Sequence, residues 1–204
     1  MVIKYMDLQT EKITANDLQK HLMIKYDDQP LFIQTDWKQL THYGVPKEDK
    51  YHNTEESRRY IQIPLTENDS FTNFIKQLDE YFFSDKFRTK YLTDKQQNFT
   101  YIPIYKEGGE KWSPSMKFKI IVDDKNNVVS EFFHNTKDGI VKKYVGSMGN
   151  IKEVFPYMSE YRFVFKVQKI WFMSKNYGVK LQLMKAQIKP PDASRQRNQI
   201  DFVE

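Results

Sequence analysis

The chain has 204 residues, of which 39% are hydrophobic, 15% aromatic and 29% charged, and its formal net charge is +5. That apolar supply excludes a fully disordered chain, and a cysteine count of zero excludes a disulfide scaffold, a thiolate zinc site and a cysteine nucleophile. The four histidines (His21, His42, His52 and His134) are scattered without ligand spacing, so neither a metal nor another cofactor is expected.

The length fits one elaborated domain over residues 1–190, followed by a flexible polar tail over 191–204, the boundary marked by the pair Pro190 and Pro191. No apolar run approaches the ~18 residues of a membrane span, and the N-terminus lacks the apolar core of a secretion signal, so an intracellular protein without membrane association is expected. The charge is uneven: residues 1–116 carry a net −2, whereas residues 117–190 carry 14 Lys and Arg against 6 Asp and Glu. Such a basic half is the electrostatic footprint of a nucleic-acid binder, and anionic lipid or an acidic protein would answer to it as well.

In chain order, "HLMIKY" (21–26) and "LFIQT" (31–35) read as a hairpin turned by Asp27, Asp28, Gln29 and Pro30. The preceding "TANDLQKHL" fits a short helix capped by Thr14 or the lead-in to that strand. A polar loop (47–59) precedes a strand at "YIQIPL" (60–65). One long helix is predicted over 69–88, because Phe71, Phe74, Ile75, Leu78, Tyr81 and Phe82 form a helical stripe and Asp69 or Ser70 can cap its start. Strands follow at "FTYIPIYK" (99–106) and in "MKFKIIVDDKNNVVSEFF", the latter a hairpin, then a turn at Asp138 and Gly139 and a short helix or turn over 149–158. Short strands and one amphipathic helix predict a β-rich α+β domain, an OB-like antiparallel barrel, since most connections are too short for parallel crossovers.

The most informative stretch is "YRFVFKVQKIWFMSKNYGVKLQLMKAQI" (161–188). Strict alternation puts Tyr161, Phe163, Phe165 and Val167 inside, but continued unbroken it would bury Lys169 and Trp171. Burying an unpaired ammonium is costly, so a bulge near Gln168 or Lys169 is predicted to reset the phase. The outer face then holds Arg162, Lys166, Lys169, Trp171 and Lys180, with Lys185 a further candidate. Lys117 and Lys119 can adjoin it, and of the neighbours Lys142 and Lys143 one at most. Cations for phosphates beside an aromatic ring for bases suit a single-stranded nucleic acid. Trp37, Tyr43 and Trp112 read as packing residues near turns. The Asp pairs 27–28 and 123–124 belong to turns, and no nucleotide-binding, nucleophile-elbow or zinc-protease motif occurs, so no catalytic residue is assigned and an enzyme is not expected.

The segments "PLFIQTDWKQLTHYGVPK", "FIKQLDEYF", "PSMKFKIIV" and residues 161–188, in that order, resemble the single-stranded DNA-binding proteins of nucleocytoplasmic large DNA viruses. The resemblance implies an OB-like barrel that coats exposed strands in viral replication, recombination or repair. It draws Gln34, Thr35, Tyr43, Gly44, Lys117, Lys119, Trp171, Tyr177 and Gly178 into view, Tyr43 and Tyr177 as added contacts; Asp36 departs from the family, whose members tend to carry Pro there. The implied partner is single-stranded DNA, with RNA, viral replication proteins and a second copy of the chain as further candidates. The implied setting is viral replication sites in the host cytoplasm or nucleus, or the virion. A protein-interaction module using its basic face for an acidic partner is the competing reading.

Overall fold

A computed structural model describes residues 2–191 except positions 19 and 157, and leaves aside the side chain at 152. The first strands are β1 (Val2–Lys4), β2 (Ile13–Asp17), β3 (His21–Tyr26), β4 (Gln29–Gln34), β5 (Lys38–Gln39) and β6 (Tyr60–Pro64). Three helices follow, α1 (Ser70–Phe83), α2 (Asp85–Tyr91) and α3 (Asp94–Gln97). The remaining strands are β7 (Thr100–Ile102), β8 (Ser115–Ile120), β9 (Glu131–Thr136), β10 (Gly139–Lys143), β11 (Glu160–Met173) and β12 (Asn176–Lys189). The predicted tail lies, from residue 192, outside the described residues.

The spine of the fold is the antiparallel ribbon β11–β12, each strand 14 residues long and spanning ~45 Å. Ser174 and Lys175, with φ of 48° and 61°, turn it as a two-residue left-handed loop. Each outer edge of the ribbon is occupied by three strands laid end to end. β5, β4 and β3 follow one another along β11 from base to tip, and β9, β8 and β7 do so along β12. A further strand flanks several of these: β1 beside β4, β2 beside β3, β6 beside β8 and β10 beside β9.

The sheet is mixed and curled, which corrects the expectation of an antiparallel barrel. β12 runs parallel to β7, β8 and β9, and β1 parallel to β4. The reason is topological: these partners are far apart in sequence, so no short connection has to make a parallel crossover. The two ends of the main strand path, β1 and β6, are not paired with each other among the described residues.

The ribbon changes phase twice. Val167 pairs with Leu181 and Lys169 with Lys180, which leaves Gln168 as an extra residue on β11. This is the predicted bulge; Ile170 is fully buried, while Lys169 and Trp171 stay on the outer face with Arg162 and Lys166. The second shift was not predicted: Val164 pairs with Lys185 and Phe165 with Leu183, so Met184 is extra on β12 and Ala186 and Ile188 turn inward. Both bulges fall where one flanking strand gives way to the next, β4 to β3 and β8 to β9.

The inner face carries Phe118, Phe163, Phe165, Leu181 and Leu183 against Phe71, Ile75, Leu78 and Phe82 of α1, all among the buried core. Tyr81 donates from its hydroxyl to the Ile13 carbonyl, and Tyr177 to that of Phe82, fixing the helix on the sheet. The single predicted helix is in fact two. Ser84 takes an extended conformation (ψ 148°), and its hydroxyl accepts from the Phe87 amide, so it ends α1 and caps α2. Asp69 is the N-cap of α1, but its carboxylate accepts from the Lys38 ammonium at 2.5 Å and makes no capping bond. "TANDLQKHL" opens as strand β2, "FTYIPIYK" shortens to β7, and the stretch after β8 closes a turn through a Val122–Val128 bridge before β9 joins β12 and β10.

Deleting Gln168 should drive Lys169 and Trp171 toward the interior and cost at least ~3 kcal/mol in chemical denaturation, whereas Gln168→Ala, which keeps the residue count, should cost under ~1 kcal/mol. Equal stability of the deletion variant and the parent would contradict the role given to the bulge.

Candidate nucleic-acid interface

Register aligns the outer-face side chains into rows across the sheet. The middle row runs Phe32, Lys166, Gln182, Lys119 and Tyr60 over β4, β11, β12, β8 and β6. Toward the tip lie Met23, Lys169 and Lys180, then His21, Trp171 and Gly178. Toward the base lie Gln34, Val164, Lys185 and Glu131, then Arg162, Gln187 and Phe133. Lys117 stands beside Gln62 on the same face of β8.

Charge compensation differs along this face. At the base, Glu131 meets Lys142 at 2.5 Å and Lys185 at 2.9 Å, and Glu160 meets Lys189 at 3.2 Å. The two lysines hold the Glu131 carboxyl below its usual range. Among the described residues, no carboxylate lies within ion-pair distance of Lys117, Lys119, Arg162, Lys166, Lys169 or Lys180. Partial burial, then the neighbouring ammonium groups of Lys119 and Lys169, lower the pKa of Lys180. An arriving phosphate would relieve that repulsion.

Aromatic rings are interleaved with these cations. Lys117 Nζ lies 4.2 Å from the Tyr60 ring centre, and Lys166 Nζ lies 5.8 Å from that of Phe32. Lys142 and Lys185 each sit 6.0 Å from Phe133. Trp37 is flanked by Lys189 Nζ at 3.9 Å and Arg162 Cζ at 5.1 Å. Trp171 is half-buried on the outer face and, among the described residues, has no cation over its ring. Its indole lies against the Gly178 backbone: a Cβ built at Gly178 would come within 2.7 Å of Trp171 Cζ2 and 3.0 Å of the Ile102 carbonyl oxygen. Glycine is required here by the close approach of the Trp171 indole and the Ile102 carbonyl.

Lys117, Lys119, Arg162, Lys166, Lys169, Trp171 and Lys180 therefore share one face. Two other expected contacts do not join them. Tyr177 is fully buried, its ring 5.1 Å from that of Tyr101, because it has the inward parity of Leu181 and Leu183. Tyr43 sits in a loop bridged to Gln62 of β6, donates to the Ser113 carbonyl at 2.7 Å and stacks on Trp112, so its polar end is occupied. Sequence reasoning missed Trp37, Phe133, Phe32 and Tyr60. For Phe133 the signal was present, since in "SEFFHNT" Glu131, Phe133 and Asn135 alternate outward from Phe132 and His134. Of the pair Lys142 and Lys143, it is Lys142 that reaches Phe133 and Glu131.

A separate cleft of about 940 Å³ lies between α1 and the 103–114 loop, and its lining includes Glu67, Asp79, Glu80 and Glu107 together with Lys76 and Lys106. Asp79 in it is a structural clamp. It accepts from the Tyr101 hydroxyl at 2.6 Å and from the Ile104 and Tyr105 amides at 2.7 and 2.8 Å; burial raises its pKa while those bonds oppose the rise. No group of acidic or histidine side chains among the described residues is arranged to hold a metal ion, and no described helix is long and apolar enough to cross a membrane.

No protein-family model matches the chain. Over an alignment of 84 residues, covering 37% of the chain and 21% of the relative's length, the chain is 33% identical to the uncharacterised protein R505 of Acanthamoeba polyphaga mimivirus. Among solved structures, the single-stranded DNA-binding protein from bacteriophage Enc34 aligns with a TM-score of 0.45 and 11% identity, covering 93% of this chain and 96% of that one. The structure of the Enc34 protein in complex with single-stranded DNA also gives a TM-score of 0.45 at 11% identity, covering 89% and 97% of the two chains.

Gly178→Ala should lift the indole off the sheet and weaken oligo-dT binding about as much as Trp171→Ala does, by on the order of 1–3 kcal/mol in a fluorescence titration. Full affinity in both variants would remove Trp171 from the interface. Because the pKa of Lys180 is lowered, rising pH strips its charge before that of an ordinary lysine; affinity should fall with alkaline pH earlier in the parent than in Lys180→Arg, and identical pH profiles would contradict this.

Proposed function

We propose that the chain is a non-enzymatic single-stranded DNA-binding protein that coats exposed strands with little sequence preference, serving DNA replication, recombination or repair. The observation that carries this reading is the set of six cations, uncompensated among the described residues, that share one sheet face with the half-buried indole of Trp171. Cations alone would suit any polyanion. The indole supplies the discrimination, because only a strand with unpaired bases can stack one on Trp171.

Binding would exchange one set of interactions for another. The ammonium groups of Lys117 and Lys166, which rest over Tyr60 and Phe32 in the free protein, would turn to phosphates and expose those rings to bases. Moving an ammonium group off its ring costs ~0.5–1 kcal/mol at an exposed site, against ~1–3 kcal/mol for each stacked base. The exchange favours the bound strand.

Six phosphate contacts predict that log K for oligo-dT falls with log salt at a slope of about −4. In a gel-shift assay, single-stranded probes should bind more tightly than duplex of the same sequence, and Lys166→Glu with Lys180→Glu should weaken binding at least tenfold. Unchanged affinity in the double variant would instead favour an acidic protein as the partner of this face.

A further inference from the structure

The base end of the outer face contains a recess that neither phosphate neutralisation nor flat stacking requires. It is a groove of about 340 Å³ whose apolar walls are Phe133, Ile140 and Val164 and whose polar groups include Gln34, Arg162 and Gln187. One wall comes from β10, all five of whose residues are exposed, with Ile140 itself 62% exposed beside the recess. At Trp171 the indole lies against the Gly178 backbone; here the Phe133 ring lines an opening together with hydrogen-bonding groups.

Those groups are held in place. Gln187 Nε2 donates to Asn135 Oδ1 at 2.7 Å, and Arg162 Nε donates to Gln187 Oε1 at 2.8 Å. The guanidinium also lies 5.1 Å from the centre of the Trp37 ring. Arg162 is thus held through Nε and by its approach to the Trp37 ring, while its terminal NH2 groups meet no carboxylate among the described residues. A planar fork of N–H donors matches two adjacent acceptors on one edge of a base, and among the four bases guanine offers that pair at O6 and N7. Adenine replaces one acceptor by a donor, and the pyrimidines lack N7.

We propose that this groove is a base-reading pocket that favours guanine, so that strand binding carries a local preference at one nucleotide position. The inference rests on the reading of the outer face as a single-strand interface. Phe133 and Ile140 would hold the base between apolar walls, and Arg162 would read its edge.

The test is a fluorescence titration of the full chain with oligo-dT and with the same oligonucleotide carrying one central dG. The guanine-containing strand should bind about fivefold tighter or more. Arg162→Lys, which keeps the charge but loses the fork, should bring that ratio to about one whatever it does to the oligo-dT affinity, and Ile140→Ser, at an exposed position, should lower it severalfold. Equal binding of the two strands by the parent, or a ratio unchanged in both variants, would overturn the pocket while leaving the strand-binding reading intact. No binding of either strand would overturn that reading and the pocket with it.

Discussion

An ammonium group cannot enter an apolar core without a partner, and this constraint governs the long ribbon on which the fold is built. In β11 and again in β12, unbroken alternation would carry a lysine inward, at Lys169 and at Lys185. Each strand inserts one residue instead, Gln168 and Met184, and the phase resets. A slip of one residue exchanges the two faces of a strand, so without these insertions half of the ribbon would present its core residues to water and its cations to the core. The same two bulges mark where β4 gives way to β3 and β8 to β9. Core, sheet topology and basic face therefore share one device.

Sorting the cations outward creates a field as well as a surface. At the base, Glu131 and Glu160 compensate part of it; in the middle and at the tip nothing among the described residues does. Lysines that must share a face without counter-charges repel one another, and at Lys180 the ammonium groups of Lys119 and Lys169 add to partial burial, the larger cause, in lowering its pKa. A surface with this stored repulsion favours a ligand that brings regularly spaced negative charge. The rings between the lysines hold several of them in place beforehand and suit the flat faces of bases.

Much of this was legible in the sequence, for reasons that also explain the failures. Lys169 announced its bulge because the aromatic run before it fixed the parity. Lys185 offered the same signal within "LQLMKAQI", where two leucines set a parity it could not follow, and the second bulge was readable by the same reasoning. Tyr177 shares the inward parity of those leucines, and it was the family resemblance, not the alternation, that drew it toward the site. The break at Ser84 was hidden because the aromatic stripe continues through Phe87, although Ser followed by Asp is an ordinary helix start. The parallel pairings of β12 had no local signature, since their partners come from distant parts of the chain and are chosen by which edge is free.

The central claim is that one sheet face, sorted by the bulge at Gln168, receives the nucleic acid. The most direct measurement is lysine modification mapped by mass spectrometry with and without saturating oligo-dT. The account predicts protection of Lys117, Lys119, Lys166, Lys169 and Lys180, with Lys76 and Lys106 at the acidic cleft unchanged. Protection spread evenly over both groups, or confined to the cleft, would contradict it.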